Sequence, residues 1–526
     1  MKNGRPSGVA SLQPQVIVIG AGPGGLAAAM LLARAGARVT VLERQGVVGG
    51  RSAALRIDGF RFDVGPTFFL YPTVLESIFE TCGFDLHAEA DFKRLDPLYD
   101  LVFEGDGPMR VHADVRRTMR EIARFSPGDA ARLPALLAKN RAKLEAFKPV
   151  LERPFNGVAD FLHPAVIASL RHLKPWKSVD GDLAEHFADP RIRLAFSFQS
   201  KYLGMSPYRC PSLFTILSFL EHEYGVFHPI GGCGGLMETM ADVARRMGVL
   251  IRTNEEVEEI LFDGRRATGV RTKAGRLAAD SLVINADFAH AMRRLVPDRL
   301  RRRWSDAKIE TKKYSCSTFM LYLGLKGTVD LGHHTILLSR DYAKNLREIE
   351  DGILPEEPSL YVQNACVTDP GQAPPGHSTL YVLVPVPHTG PAFDWTEEAP
   401  RYRRLVLERL RLLGLHDLEG RIVVERRFTP ADWRDGMQIH KGATFNLAHN
   451  LGQMLHFRPR NRFEELDGVY LVGGGTHPGS GLPVIFEGAR ITTRLLAKDL
   501  GLGLPAGMGL GQGIGRMAAP MAEAGR

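Results

Sequence analysis

Little in this chain offers covalent or metal support. Cysteine is sparse: Cys82, Cys210, Cys233, Cys316 and Cys366 are scattered through 526 residues. No pair has zinc-ligand spacing, and an odd count argues against a disulfide framework, so reduced thiols in a cytoplasmic setting and no metal are expected. No run approaches the roughly 20 uninterrupted apolar residues of a membrane span. The stretch after Lys2 and Arg5 superficially resembles a secretory leader, but Gly20-Ala21-Gly22-Pro23-Gly24-Gly25 interrupts it. A recognisable nucleic-acid module is also missing, and most of the net charge of +8 is dispersed, so no nucleic-acid partner is expected. What remains is an ordinary globular composition, 44% hydrophobic and 24% charged, long enough for two or three domains or one interleaved pair.

The informative features are two glycine turns far apart in the chain. Val16 to Ile19 reads as a short buried strand, and Gly20, Gly22 and Gly25 then fit G-x-G-x-x-G. Leu26 to Ala35 reads as a helix and Arg38 to Leu42 as a second strand closed by Glu43. This order suits a dinucleotide. The glycines give a tight turn, backbone approach to a pyrophosphate and close helix packing, and a carboxylate ending the second strand accepts ribose hydroxyls. Free N–H groups at the helix start favour phosphate. Arg44 follows, and then Gly49-Gly50-Arg51, which lets the chain return beside the pyrophosphate with Arg51 as a counter-charge.

Near the other end, Gly468 to Val472 reads as a last parallel strand, stopped by Gly473-Gly474-Gly475 and followed by Thr476-His477-Pro478-Gly479-Ser480-Gly481. Pro483, Val484 and onward to Leu496 read as the final helix. In a doubly wound sheet both turns reach the carboxyl edge, where ligands bind. The second turn would close over the other half of the ligand, with the positive helix end favouring negative charge.

The order VIGAGPGGL, LERQGVVGGRS and then FDVGPT, which carries Gly65, Pro66 and Thr67, resembles the amine-oxidase-like flavoproteins. Within them the chain is most similar to the bacterial-type phytoene desaturases. The resemblance implies an α/β fold: a Rossmann-type FAD-binding domain interleaved with an α+β substrate-binding domain whose helical region suits membrane contact. Residues 1–100, 230–290 and 465–500 would form the FAD domain. Residues 101–229 and 291–464 would form the substrate domain, helical near 115–230, with 501–526 a flexible Gly/Ala/Met-rich tail. It also implies that the backbone at Val257 meets adenine and that Gly474, Gly475, Thr476, Pro483 and Val484 close on FAD. The implied reaction is dehydrogenation of a carotenoid or other polyisoprenoid such as phytoene. Hydride passes to flavin N5 and electrons continue to oxygen or a quinone. Many desaturases follow their THPG segment with small residues, whereas here Val484-Ile485-Phe486-Glu487 follows. That variant looks closer to enzymes acting on other carotenoids or oxidising diapocarotenoid end groups. A non-redox carotene isomerase and an amine oxidase are the alternatives.

Glu221, His222, Glu223 and His228, near the domain junction, are the candidate proton acceptors, with a water as the alternative. Lys139, Arg141, Lys143, Lys148, Arg171, Lys174 and Lys177 lie among helical apolar residues that include Phe161, Leu162, Leu170 and Trp176. They read either as solvated charges or as a face resting on anionic lipid, and the carotenoid-like substrate favours peripheral membrane association. Arg293 to Arg303 with Trp304 reads as a mainly solvated basic helix.

Overall fold

The computed structural model describes residues 13–174, 176–390 and 393–508. Its first sheet is parallel, in the order Leu250–Arg252, Arg38–Leu42, Gln15–Ile19, Ser281–Ile284 and Val469–Leu471. Val16 and Val18 point into one core, beneath the Pro23–Arg34 helix, and Ile17 and Ile19 into another, beneath Phe288–Leu295. Coverage on both faces explains why the central runs Val16 to Ile19 and Leu282 to Ile284 are apolar throughout.

Parallel strands place their carboxyl ends on one edge. Ile19 pairs with Leu42 on one side and Ile284 on the other, and Ile284 pairs with Leu471. The turns after Ile19 and Leu471 therefore start two strand spacings apart, about 10 Å. Sheet register, rather than any local signal, unites the two glycine turns.

The second sheet has seven strands, in the order Ile422–Phe428, Ser317–Lys326, His377–Val386, Leu360–Gln363, His334–Leu338, Tyr99–Phe103 and Gly107–Val111. Its neighbours are antiparallel except the pair of His334–Leu338 with Tyr99–Phe103. Phe319, Leu321 and Leu323 pack with the Trp395–Leu410 helix, while Met320 and Tyr322 pack with Phe60 and Phe62. Tyr322 donates to the Val64 carbonyl at 2.5 Å and Tyr381 to the Gly65 carbonyl at 2.7 Å. These two hydroxyls fasten the Gly65-Pro66-Thr67 segment to the second sheet.

Helices Leu133–Leu151, Pro164–Leu173 and Ile216–Tyr224 form the helical part. Several of its basic residues are committed to carboxylates, and one of them is fully removed from solvent. Lys143 is buried, donating to Asp182 at 3.0 Å, the Ser212 carbonyl at 2.9 Å and Thr215 at 2.8 Å. Lys139 bonds the same aspartate at 2.9 Å, Arg141 pairs with Glu223, and Lys174 and Lys177 pair with Glu185. The expected basic helix through Trp304 needs a similar correction. The helix ends at Leu295, before Pro297, and Arg301 and Trp304 are buried. Arg301 turns inward because the Val296 and Trp304 carbonyls and Asp306 accept its guanidinium.

Among the described residues no helix is long and apolar enough to cross a membrane. Residues 501–508 turn back onto the body, where Met508 is buried and the Gly507 carbonyl accepts from Arg490 at 2.9 Å. The rest of the expected tail, 509–526, lies outside the described residues.

Candidate cofactor and substrate cavity

At the shared carboxyl edge a cavity of about 530 Å³ opens between the two sheets and the helical part. Gly20, Gly22 and Pro23 line it, and Gly24 and Gly25 lie behind them. Gly25 is a packing requirement: a Cβ there would stand 2.2 Å from the Gly20 carbonyl oxygen. The Pro23–Arg34 helix starts at Gly22 without a side-chain cap, so its first N–H groups are available to an anion. Glu43 lines the cavity next to this turn, its Oε2 accepting from the Ala21 amide and Oε1 from the Gln45 amide, both at 2.8 Å. Burial raises its carboxyl while these amides draw it back. Each oxygen keeps a lone pair for a hydroxyl.

Arg44, Gly50, Arg51 and Val257 also line the wall, as do Gly65, Pro66 and Thr67. Arg44 donates to the Gly436 carbonyl at 2.6 Å, and Arg51 to the Thr444 carbonyl at 2.6 Å. With its amide oxygen turned to Arg51, Asn446 accepts from both guanidinium ends at 2.7 and 2.8 Å and donates to Asp287 at 2.5 Å. Thr67 and Tyr361 share a 2.6 Å hydroxyl contact, and Tyr361 meets His334 Nδ1 at 2.8 Å.

The second turn comes in from the opposite side. Gly474, Pro483 and Val484 line the cavity, and Gly475 and Thr476 lie behind. Gly473 holds φ +109°, open in practice only to glycine. Arg458, 0% exposed, braces this turn from the rear, bonding the Gly474 carbonyl at 2.7 Å and that of Thr476 at 3.3 Å. Asn285 joins the two turns: its amide donates to the Gly20 carbonyl at 3.2 Å, and it lies against Gly473. Beyond the turns the walls become apolar, with Leu144, Phe147, Leu217, Leu220, Met320 and Ile336.

The profile of flavin-containing amine oxidoreductases matches residues 23–499. The chain belongs to this family. It is similar to the 4,4'-diapophytoene desaturase (4,4'-diapolycopene-forming) of Methylomonas sp, with 42% identity over 92% of this chain and 95% of that one. It is also similar to the all-trans-zeta-carotene desaturase of Myxococcus xanthus, with 40% identity over 93% and 94%. An oxidoreductase from Methanosarcina mazei shares the fold, with TM-score 0.62 and 18% identity over 90% of this chain and 98% of that one.

As a family member this chain is an FAD-dependent oxidoreductase, and its residues fit the cofactor. Two helix starts, at Gly22 and Gly481, lack side-chain caps, and residues of both turns line the same cavity. The first turn with Glu43 offers N–H groups for phosphate and acceptors for ribose. Pro483 and Val484 bring the second helix start to the cavity.

None of the four candidate proton acceptors lines the cavity of this flavoprotein. Glu223 is paired with Arg141 at 2.6 Å. His228 lies 3.3 Å from Asp369. His222 is buried against Phe196, and burial lowers its imidazole to about 4. Glu221 is fully buried, yet it reaches the cavity through one neighbour: Tyr202, a wall residue, donates to it at 2.9 Å. Nothing in the local sequence singles out Tyr202, Arg458, Asn285 or Asn446. Each arrives from a distant segment.

Proposed function

We propose that this flavoprotein desaturates a carotenoid or related long polyisoprenoid such as phytoene. The supporting observation is the continuity of one cavity, polar at the two glycine turns and aliphatic or aromatic beyond them. A hydrocarbon chain gains free energy by leaving water for such walls, about 25 cal/mol per Å² of apolar surface. Bound FAD supplies the two-electron acceptor, with oxygen or a quinone as the final recipient. The chain's own residues hold the cofactor between its two turns, keep water from the reacting carbon and receive the released proton. Of the candidate acceptors, Glu221 is the one connected to the cavity, through Tyr202.

The long substrate would enter from a membrane. Val158, Leu162, Ile167, Leu170 and Trp176 are all exposed within one short stretch of the helical part. In this reading that stretch rests on the cytoplasmic face of a bilayer. Anaerobic incubation with phytoene, lycopene and diaponeurosporene tests the assignment. Bleaching of the flavin spectrum with formation of a more conjugated product is expected. Isomerised product without bleaching, or no response to any polyene, would overturn it.

A further inference from the structure

One acidic group on the cavity wall has no task in oxidising a hydrocarbon. Glu487 lies one turn along the Leu482–Asp499 helix from Pro483, on the same face, and lines the cavity while only 3% exposed. Its Oε2 has no hydrogen-bond partner among the described residues. Arg490 Nε stands 3.3 Å from that oxygen without bonding geometry, and Arg494 reaches Oε1 only at 3.5 Å. Both arginines have other partners. Arg490 donates to Ser77 at 2.6 Å and to the Gly507 carbonyl at 2.9 Å, and Arg494 donates to the Glu152 carbonyl. Burial pushes the Glu487 carboxyl up to about 7 against the pull of these cations.

A buried carboxylate oxygen left without a donor carries a desolvation penalty that a pure hydrocarbon ligand could not relieve. We propose that Glu487 is a polar subsite that recognises an oxygen atom, hydroxyl or carbonyl, carried by the polyisoprenoid chain. This rests on the desaturase reading above and makes oxygen-bearing polyenes the preferred members of its substrate class. An ionised carboxylate accepts from a hydroxyl, and a protonated one donates to a carbonyl. The remainder of the ligand stays against the apolar wall. Hydrocarbons bind the same cavity less tightly, because they leave Oε2 without a hydrogen-bond donor.

Binding of fully conjugated polyenes to the FAD-loaded protein tests this without turnover. Three chains of equal length are titrated, one hydrocarbon, one with a terminal hydroxyl and one with a terminal carbonyl, and the shift in polyene absorption is followed. At least one oxygen-bearing chain should bind about tenfold more tightly than the hydrocarbon, the ratio one net hydrogen bond supplies. The tighter of the two identifies the oxygen. Glu487→Leu should reverse the order, and the nearly isosteric Glu487→Gln should narrow it, with FAD content and melting temperature reporting folding. Equal affinities for all three chains in the unaltered protein, or uniform weakening in both variants, would overturn the subsite. Flavin bleaching by a reducible chain is followed separately, so failure of the redox reading is distinguishable from failure of the subsite.

Discussion

Tyr202 donates its hydroxyl to Glu221 across 2.9 Å, and of the three donors bonded to this carboxylate only Tyr202 lines the cavity. Tyr99 at 2.8 Å and Gln199 at 3.0 Å both bond its other oxygen. Burial outweighs all three and raises the acid to about 7. Removing hydride from a saturated carbon leaves a proton to be released, and a weak base within reach of the cavity suffices for it. The tyrosine oxygen can accept that proton as its own passes to Glu221.

Single-turnover reduction should therefore depend on Glu221 being ionised. The rate is expected to rise with pH through about 7, and the raised acid defines that limb. Glu221→Gln should remove the limb and slow reduction by about 10²-fold, and Tyr202→Phe should slow it similarly with FAD still bound. Stopped-flow traces across pH 5.5–9 check this; an unchanged limb in both variants would exclude the relay. Stability has the opposite dependence. Because folding raises this acid, its contribution is greatest below the ordinary value of 4.5 and is lost as pH rises through about 7.

Glu43 provides a test of cofactor grip. Its two oxygens are held by the Ala21 and Gln45 amides, so the carboxylate is fixed before any ribose arrives. Glu43→Gln places an NH₂ group against one of those amides and removes the charge that strengthens both bonds. FAD affinity should fall roughly 10- to 100-fold, the range for losing one or two charge-assisted hydrogen bonds. Fluorescence of released flavin on dilution measures it.

The parts of this site that can be read from sequence are those in which neighbours along the chain are also neighbours in space. Gly20 to Gly25, followed by a helix, a strand and Glu43, form one local unit, and so does the final turn with its helix. The connection between them is hidden because it depends on Ile19, Ile284 and Leu471 pairing in register. Charge was also hard to interpret in one dimension. Lys143 and Arg301 look like solvent-facing residues until Asp182 and a set of carbonyls are folded around them. Glu221 and Glu223 differ only by helix rotation: two residues turn the second acid about 200° away, out to Arg141.

Arg458 turns that hidden connection into a prediction. Its guanidinium has only carbonyl partners, from Leu447, Ala448, Gln453, Gly474 and Thr476, and no described carboxylate pairs with it. Burial lowers it to about 9, so it stays charged at neutral pH. Arg458→Met would take this donor from those carbonyls, among them Gly474 and Thr476 of the second turn, while Ala448 keeps the Gln453 amide. Stability should fall on the order of 3 kcal/mol, with looser FAD binding because the Gly474 turn loses its brace. Arg458→Lys restores the charge but fewer bonds and should fall between. Urea unfolding with and without added FAD separates the two effects.

Membrane docking can be tested without touching the cavity. Leu162, Leu170 and Trp176 are 74%, 49% and 76% exposed, and none of them lines the cavity. Several nearby lysines are committed to Asp182 and Glu185, so apolar insertion should outweigh attraction to anionic headgroups. Association with vesicles should then survive raised salt and occur on neutral as well as anionic lipid, because screening weakens only the charge-dependent part. Leu162→Asp with Leu170→Asp should abolish flotation with either vesicle while FAD content stays unchanged. Trp176 emission should shift to the blue on binding, as an indole leaving water does. Flotation that disappears at high salt, with no shift in Trp176, would mean that charges rather than this apolar stretch hold the protein at the bilayer.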